Sequence, residues 1–283
     1  MKIFSFLLLW LCSGYSLAAP TLWSATKGEQ QWWLFGSIHL ADARLAQLPP
    51  ALVARLQQSE HLYLEINPNA MTPQLLAPFL TLPAADTWQR RLGASLSQTL
   101  EQQLVALNLS HLTRLPPWFA AMQLSQALAQ QQGFVSSQGV DMQLLQLAEQ
   151  QGVAVSGLES PTLVFEIMAS LAERNLEQDF VRHSLAEQTQ LAEHLEQLFS
   201  TWQSGDEQAL LALLDDQGSA ELTEFIRQEL LIARNKLWLA ELQRQAPKEA
   251  LIVVGALHLY GDQGLITLLQ QDGYQLQKVR EKT

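Results

Sequence analysis

The stretch WWLFGSIH, residues 32–39, determines the fold predicted for this chain. It starts as an apolar, aromatic run typical of a buried strand, and a glycine and a histidine follow it. A second copy of the pattern, LIVVGALH at residues 251–258, lies near the other end of the sequence. In both copies the histidine comes three residues after the glycine. A glycine at this position lets the backbone turn sharply or adopt a positive φ.

The two histidines, His39 and His258, are predicted to meet in space. If both apolar runs are parallel strands of one sheet, their carboxyl ends share an edge, where open α/β sheets form ligand sites. One such copy alone would indicate no more than a histidine in a strand-to-helix loop. The repetition favours a common site.

Further strand-like segments cluster towards the two ends of the sequence, and a long helical middle, about residues 87–245, lies between them. No linker rich in Pro, Gly or Ser divides the chain. We therefore expect one α/β domain, residues 19–283, whose central mixed or parallel sheet comes from N- and C-terminal strands and carries a long helical insertion. The predicted strands are residues 21–25, 31–35, 61–66, 153–155, 251–254 and 274–279.

Residues 1–18 have the pattern of a secretory signal peptide, with Lys2 before an apolar run and Ala18 at the cleavage position. The apolar run is shorter than a membrane span. We therefore expect a periplasmic or secreted protein with no transmembrane segment in its mature chain. Cys12, the single cysteine, would leave with the signal peptide, which excludes disulfides and a cysteine nucleophile.

Charge and motifs exclude several classes of function. The formal net charge is −11 and no basic run occurs, which argues against nucleic acid as a partner. The sequence contains neither a G-x-S-x-G nucleophile elbow nor a phosphate-binding glycine loop. Serine hydrolases of that type and nucleotide-binding enzymes are therefore disfavoured.

Four metal-capable side chains end predicted strands: His39, Glu65, Glu159 and His258. Two imidazoles with one or two carboxylates suit a divalent transition metal, which lowers the pKa of bound water. A glutamate that is not a ligand would act as general base, and the sequence leaves open which glutamate has which role. Alternatively, Glu65 caps a helix or pairs with an arginine, and Glu159 lies beside a helix N-terminus.

Arg234 lies inside a predicted helix, where an arginine is usually solvated. If it points into the cleft instead, it can stabilise negative charge in the reaction. Asp42 and Asp262 closely follow the two histidines; we expect them to cap the next helices, the alternative being that they orient the imidazoles. The remaining histidines are predicted to be surface or helix-face residues: His61, His111, His183 and His194.

The chain resembles the TraB/GumN family, which includes the Tiki proteins. The resemblance implies an α/β fold related to erythromycin-esterase-like and haem-binding lipoprotein domains. It also implies a site of His39, Glu65 and His258, with Glu159 and Arg234 as neighbours. The motifs that carry it are FGSIHL at 35–40, LE at 64–65, GVD at 139–141, GLE at 157–159, GD at 205–206, RN at 234–235 and VGALHL at 254–259.

The Tiki branch consists of metal-dependent proteases that use manganese or cobalt, and many bacterial members have no defined activity. The resemblance and the site pattern together predict an exported metal-dependent hydrolase, in particular a peptidase, with Mn, Co or Zn as cofactor and a peptide or protein as substrate. The alternative is a non-catalytic periplasmic protein that binds metal, haem or peptide in the same cleft.

Overall fold

The computed structural model describes residues 20–83, 85–215 and 218–279. The predicted signal peptide, residues 1–18, lies outside this range. Within it the chain forms a six-stranded mixed sheet in the order β4-β3-β5-β2-β1-β6, which confirms the predicted α/β class. The strands are β1 Leu22–Lys27, β2 Gln30–Ser37, β3 His61–Leu64, β4 Ala154–Gly157, β5 Glu249–Gly255 and β6 Gln275–Lys278.

The sheet is parallel over four adjacent strands. β2 and β3 both run parallel to the central strand β5, and β4 runs parallel to β3. β1 is antiparallel to β2 and to β6. The segments that follow β2, β3, β4 and β5 therefore leave the sheet at one edge, as expected for the two glycine–histidine patterns.

The two pattern glycines pair with the neighbouring strand, Gly36 with Val254 and Gly255 with Ser37. Neither adopts the positive φ considered from the sequence; φ of Gly255 is −50°. The two glycines are explained instead by neighbouring atoms that leave little room for a Cβ. A Cβ on Gly36 would lie 2.9 Å from the Cα of Ala256, and one on Gly255 would lie 3.2 Å from the Glu65 carboxylate. Gly36 therefore leaves room for the backbone of the turn after β5, and Gly255 leaves room for the Glu65 carboxylate.

Helices cover both faces of the sheet and build the middle of the chain. None in the described range is long and apolar enough to cross a membrane. One of the helices continues into the next through a π-helical segment, Ile226–Ile232. The helices are α1 Pro50–Gln58, α2 Pro73–Leu80, α3 Trp88–Leu92, α4 Ala94–Ala106, α5 Pro117–Gln131, α6 Val140–Gln151, α7 Leu163–Glu173, α8 Glu177–Glu187, α9 Leu191–Ser204, α10 Glu207–Ala212, α11 Ala220–Phe225, α12 Ala233–Gln245 and α13 Leu265–Gln271.

Three apolar clusters hold these layers together. The main one surrounds the sheet, with Trp32, Phe35 and Trp238 fully buried. The second packs inside the helical middle around Trp88, and the third around Trp118. Because the apolar strands are covered from both sides, polar side chains at their carboxyl ends lie at the border of the core.

Candidate active site

The carboxyl edge of the four parallel strands carries all four residues predicted from the sequence. His39 follows β2, Glu65 follows β3, Glu159 follows β4 and His258 follows β5. The Nε2 atoms of the two histidines lie 3.7 Å (His39) and 3.8 Å (His258) from the same oxygen, Oε1 of Glu65. Two segments more than 200 residues apart in sequence thus bring their imidazoles to one carboxylate.

Glu65 is the central carboxylate. Its Oε1 accepts the backbone N–H of Gly255 at 2.7 Å, and its Oε2 accepts Nη2 of Arg234 at 2.6 Å. Burial opposes ionisation, but the neighbouring histidines, Arg234 and the Gly255 N–H outweigh it and hold the pKa of Glu65 at about 2. Glu65 is therefore a carboxylate at any physiological pH.

His258 is buried, and its tautomer follows from its partners. The Asn235 side-chain amide donates to the carbonyls of His258 and Gln263, so its oxygen is left to accept the Nδ1 proton of His258 at 2.7 Å. Burial lowers the pKa of His258 to about 3, so the imidazole is neutral. The lone pair of Nε2 therefore faces the site, 3.2 Å from Nη1 of Arg234.

His39 is held in the same way but lies open to the cleft, with 59% of its side chain exposed. Its Nδ1 lies 2.9 Å from Asp141, whose other oxygen accepts the Ser37 hydroxyl at 2.8 Å. Asp141 stands in the first turn of α6, where a carboxylate is favoured. The Asp141 charge raises the pKa of His39 above its usual range. His39 thus attracts a positive charge, whether a proton or a cation.

Arg234, on α12, connects the two glutamates of the site. It is only 6% exposed, so the expectation that this helical arginine is solvated was wrong. Arg234 Nε and Nη2 donate to the two carboxylate oxygens of Glu159 at 2.9 and 2.8 Å, which makes a bidentate ion pair. Nη1 also donates to the carbonyl of Leu230 at 3.1 Å. The second oxygen of Glu159 accepts the Trp238 indole at 2.7 Å. Both Glu159 oxygens are therefore occupied, and its side chain has no exposed surface.

The charge balance at this edge is negative. Three carboxylates, Glu65, Glu159 and Asp141, face one guanidinium, and His258 is neutral. Such an excess favours a bound cation or a protonated His39. In the described residues no three His, Cys, Asp or Glu side chains form a ready-made metal site. An ion on both imidazoles would need Arg234 to release Nε2 of His258.

Imidazole and carboxylate are nevertheless donor types that transition metals accept. Both imidazoles have Nδ1 fixed by an oxygen partner, the arrangement that orients metal-binding histidines. Their Nε2 atoms lie 3.7 and 3.8 Å from Glu65 Oε1. Ligands that each bind an ion at about 2.0–2.2 Å stand at most about 4.4 Å apart, so these separations are compatible with a shared ion.

A cleft of about 690 Å³ opens above these groups. His39, Glu65, Arg234 and His258 form its floor, and its walls are largely leucine and isoleucine from the helical middle. The π-helical segment supplies part of one wall through Leu230 and Leu231 and leads directly into Arg234. π-Helical turns occur frequently at functional sites.

The residues predicted from the sequence lie together at this edge, but the sequence did not predict the groups that orient the two imidazoles. Asp42 caps the short turn Ala43–Leu45, as predicted. Asp262 does not cap α13, whose cap position is Gly264, so that prediction is wrong. The imidazoles are oriented by Asp141 and Asn235, whose roles the sequence did not assign. For Asp141, the sequence signal was a carboxylate in the first turn of a helix, α6, which begins beside the strand edge.

The other histidines lie outside the floor of the cleft. His61 bonds Ser156 at 2.8 Å within the sheet. His111 is exposed, as expected. His194 stands on α9, where it lines the cleft and pairs with Glu187 at 2.5 Å. The described neighbours of His183 include Gly218.

Comparison with known proteins identifies the family of this chain. The model of the TraB/PrgY/gumN family matches residues 21–278. The chain belongs to this family. A family relative in Escherichia coli K12, the uncharacterized protein YbaP, is 28% identical over 266 residues, which cover 88% of this chain and 97% of YbaP. The YbaP protein of Shigella flexneri matches to the same extent. No solved structure gives a significant match.

Proposed function

We propose that this member of the TraB/PrgY/gumN family is a metal-dependent hydrolase, in particular a peptidase. The observation that carries the proposal is the convergence of two oriented imidazole Nε2 atoms on one ionised carboxylate oxygen at the floor of a cleft. His39, His258 and Glu65 would hold a divalent transition metal, Mn, Co or Zn. Such an ion lowers the pKa of bound water and polarises a carbonyl.

The two glutamates have different roles in this proposal. Glu65 is the ligand, because its Oε1 faces both imidazoles. Glu159 serves as the anchor of Arg234 rather than as general base, because both its oxygens are bonded and no water reaches it. Arg234 keeps Glu65 ionised and supplies a fixed positive charge that favours negative charge developing on a bound carbonyl.

The proposal includes a peptide or protein as substrate and export from the cytoplasm. A cleft of about 690 Å³ with apolar walls and a polar floor suits a peptide segment. Residues 1–18 have the signal-peptide pattern, and this supports export to the periplasm or beyond.

The experiment that tests the proposal is metal analysis of the mature protein, purified without chelator, beside the His39→Ala/His258→Ala double variant. We expect about one transition-metal ion per chain, lost in the double variant. Glu65→Gln should lose the ion, whereas Glu159→Gln should retain it. A peptide-library screen with that metal then measures turnover. Wild-type turnover that persists in the double variant would refute the site.

A second candidate is a non-catalytic protein that binds metal, haem or peptide in this cleft. One observation favours it: every N–H group of Arg234 already has a protein acceptor, so the network is satisfied without a ligand. This candidate predicts saturable binding with no turnover of any library peptide.

A further inference from the structure

A second, smaller cavity of about 330 Å³ lies beside the floor of the cleft. His39 and His258 form part of its wall, so it shares both imidazoles with the cleft. Most of its other side chains are large and apolar. They come from the turn after β5, from α9, from α10 and from the π-helical segment, and include Leu195, Leu198, Trp202, Leu210, Leu231 and Leu257.

Apart from Nε2 of His39, the polar side-chain groups at this cavity are already bonded within the protein. The Trp202 indole donates to the carbonyl of Gly36 at 2.9 Å, and the Ser37 hydroxyl donates to Asp141. The Nδ1 atoms of His39 and His258 are bonded to Asp141 and Asn235. Among the described residues that line the cavity, none carries a charge apart from the histidines. A polar or charged guest that does not reach His39 would therefore lose its hydration without replacement.

We infer that this cavity receives a large aliphatic or aromatic side chain of the substrate, adjacent to the bond that is hydrolysed. The inference rests on the proposed hydrolase function, because it takes the reacting carbonyl to lie on the floor of the cleft. Leu198, Leu231 and Leu257 line both spaces, so a side chain in the cavity remains attached to a backbone in the cleft. The volume lies at the lower end of small-ligand pockets, about 300–1,000 Å³.

Leu198 is the position that tests the inference. It is half-buried and lines cavity and cleft, so Leu198→Trp fills the cavity from its wall. Leu214→Trp is the matched control, since Leu214 is also half-buried and lines the cleft but not the cavity. Leu198→Ala, which enlarges the cavity, provides a second variant if the tryptophan prevents folding.

Two readouts separate this inference from the proposed function. NMR titration of the purified chain with N-acetyl-leucinamide, N-acetyl-phenylalaninamide, N-acetyl-alaninamide and N-acetyl-lysinamide measures binding without chemistry. The peptide library measures which side chain flanks the cleaved bond. We expect the wild type to prefer leucine or phenylalanine over alanine by about tenfold or more in either readout. Leu198→Trp should lose this preference, Leu214→Trp should keep it, and Leu198→Ala should shift it towards phenylalanine.

Each outcome supports or refutes the cavity, the hydrolase function or both. Apolar probes that bind the wild type but not Leu198→Trp, with no peptide hydrolysed, support the cavity and refute the hydrolase. Hydrolysis without an apolar preference refutes the cavity and leaves the hydrolase intact. Equal binding of N-acetyl-leucinamide by the wild type, Leu198→Trp and Leu214→Trp, or no binding at all, overturns the inference.

Discussion

Two buried arginine–glutamate pairs hold different parts of this chain. At the strand edge, Arg234 binds Glu159 with Nη2 at 2.8 Å. In the helical middle, Nε of Arg91 contacts Glu177 at 2.7 Å. Glu177 is 3% exposed and Arg234 is 6% exposed. Buried ion pairs of this kind are weak evidence for stability in themselves, so their surroundings must distinguish them.

The surroundings differ in charge and in access. Glu177 uses its other oxygen to accept the backbone N–H of Trp118, at 3.3 Å, in the first turn of α5. A second carboxylate, Asp86, lies farther from Arg91, at 3.8 Å. At the strand edge, in contrast, two carboxylates share the Arg234 guanidinium beneath an open cleft, and a third, Asp141, pairs with His39. The helical pair ties two helices together and does not line the cleft, whereas the larger excess of negative charge at the strand edge faces the cleft and favours a cationic ligand.

The largest expected effect is the removal of Arg234. Arg234→Leu leaves two buried carboxylates unpaired, and we expect the free energy of unfolding to fall by about 3–5 kcal/mol in urea denaturation. Arg244→Leu is the control, because Arg244 lies on the same helix in an exposed pair with Glu241 and should change stability little. Equal stability of the two variants would contradict the central role of Arg234.

The next effect concerns the groups behind the imidazoles. Asp141→Asn removes the charge that orients His39, and we expect metal affinity to fall about 10–100-fold, measured by competition with a chromogenic chelator. Asp179→Asn, in an exposed pair with Arg182, is the matched control and should leave the affinity unchanged. An unchanged affinity in Asp141→Asn would separate Asp141 from the metal site.

The helical pair gives a smaller and purely structural effect. Arg91→Leu leaves the buried Glu177 without its cation, and we expect a loss of about 1–3 kcal/mol of unfolding free energy in urea denaturation. Metal content and peptide turnover, measured on the folded variant, should equal those of the wild type. A loss of bound metal would show that the two pairs are coupled.

Acid distinguishes the two regions through Glu65, the second carboxylate bound to Arg234, because burial raises the pKa of Glu159 and of Glu177 alike. The pKa of Glu65 is lowered from 4.5 to about 2, so its contribution to stability is present above about pH 4.5 and is lost as the pH falls towards 2. Burial raises the pKa of Glu177, so its contribution increases as the pH falls. In urea denaturation with chelator, Glu65→Gln should flatten the loss of stability in acid, and Glu177→Gln should steepen it. Parallel curves would contradict both directions.

The strand edge could be predicted from the sequence because its information is local. Apolar runs followed by glycine and histidine identify the strands and the groups at their ends, and parallel pairing brings those ends together. Arg234 was harder to place. Whether a helical arginine faces solvent or the core depends on how its helix docks, and a π-helical segment before it changes that rotation.

Asn235 and Asp141 show the same limit. Asn235 lies on the buried side of α12 and accepts a hydrogen bond from His258, 23 residues farther along the chain. Asp141 lies 102 residues from His39. Such contacts depend on tertiary packing, which composition and periodicity do not encode. The positive φ considered for the two pattern glycines was wrong: Gly36 is close to the backbone of Ala256, and Gly255 is close to the Glu65 carboxylate.

The π-helical segment Ile226–Ile232 has a consequence for insertion and deletion in this chain. A π turn closes its hydrogen bond over five residues instead of four, so the segment accommodates one extra residue in a continuous helix. Each residue of a regular α-helix turns the chain by about 100°. The single extra residue therefore sets the rotational frame of Arg234 relative to the helix before it. Substitutions in this cleft wall preserve that frame, whereas the loss of one residue would turn the arginine away from both glutamates.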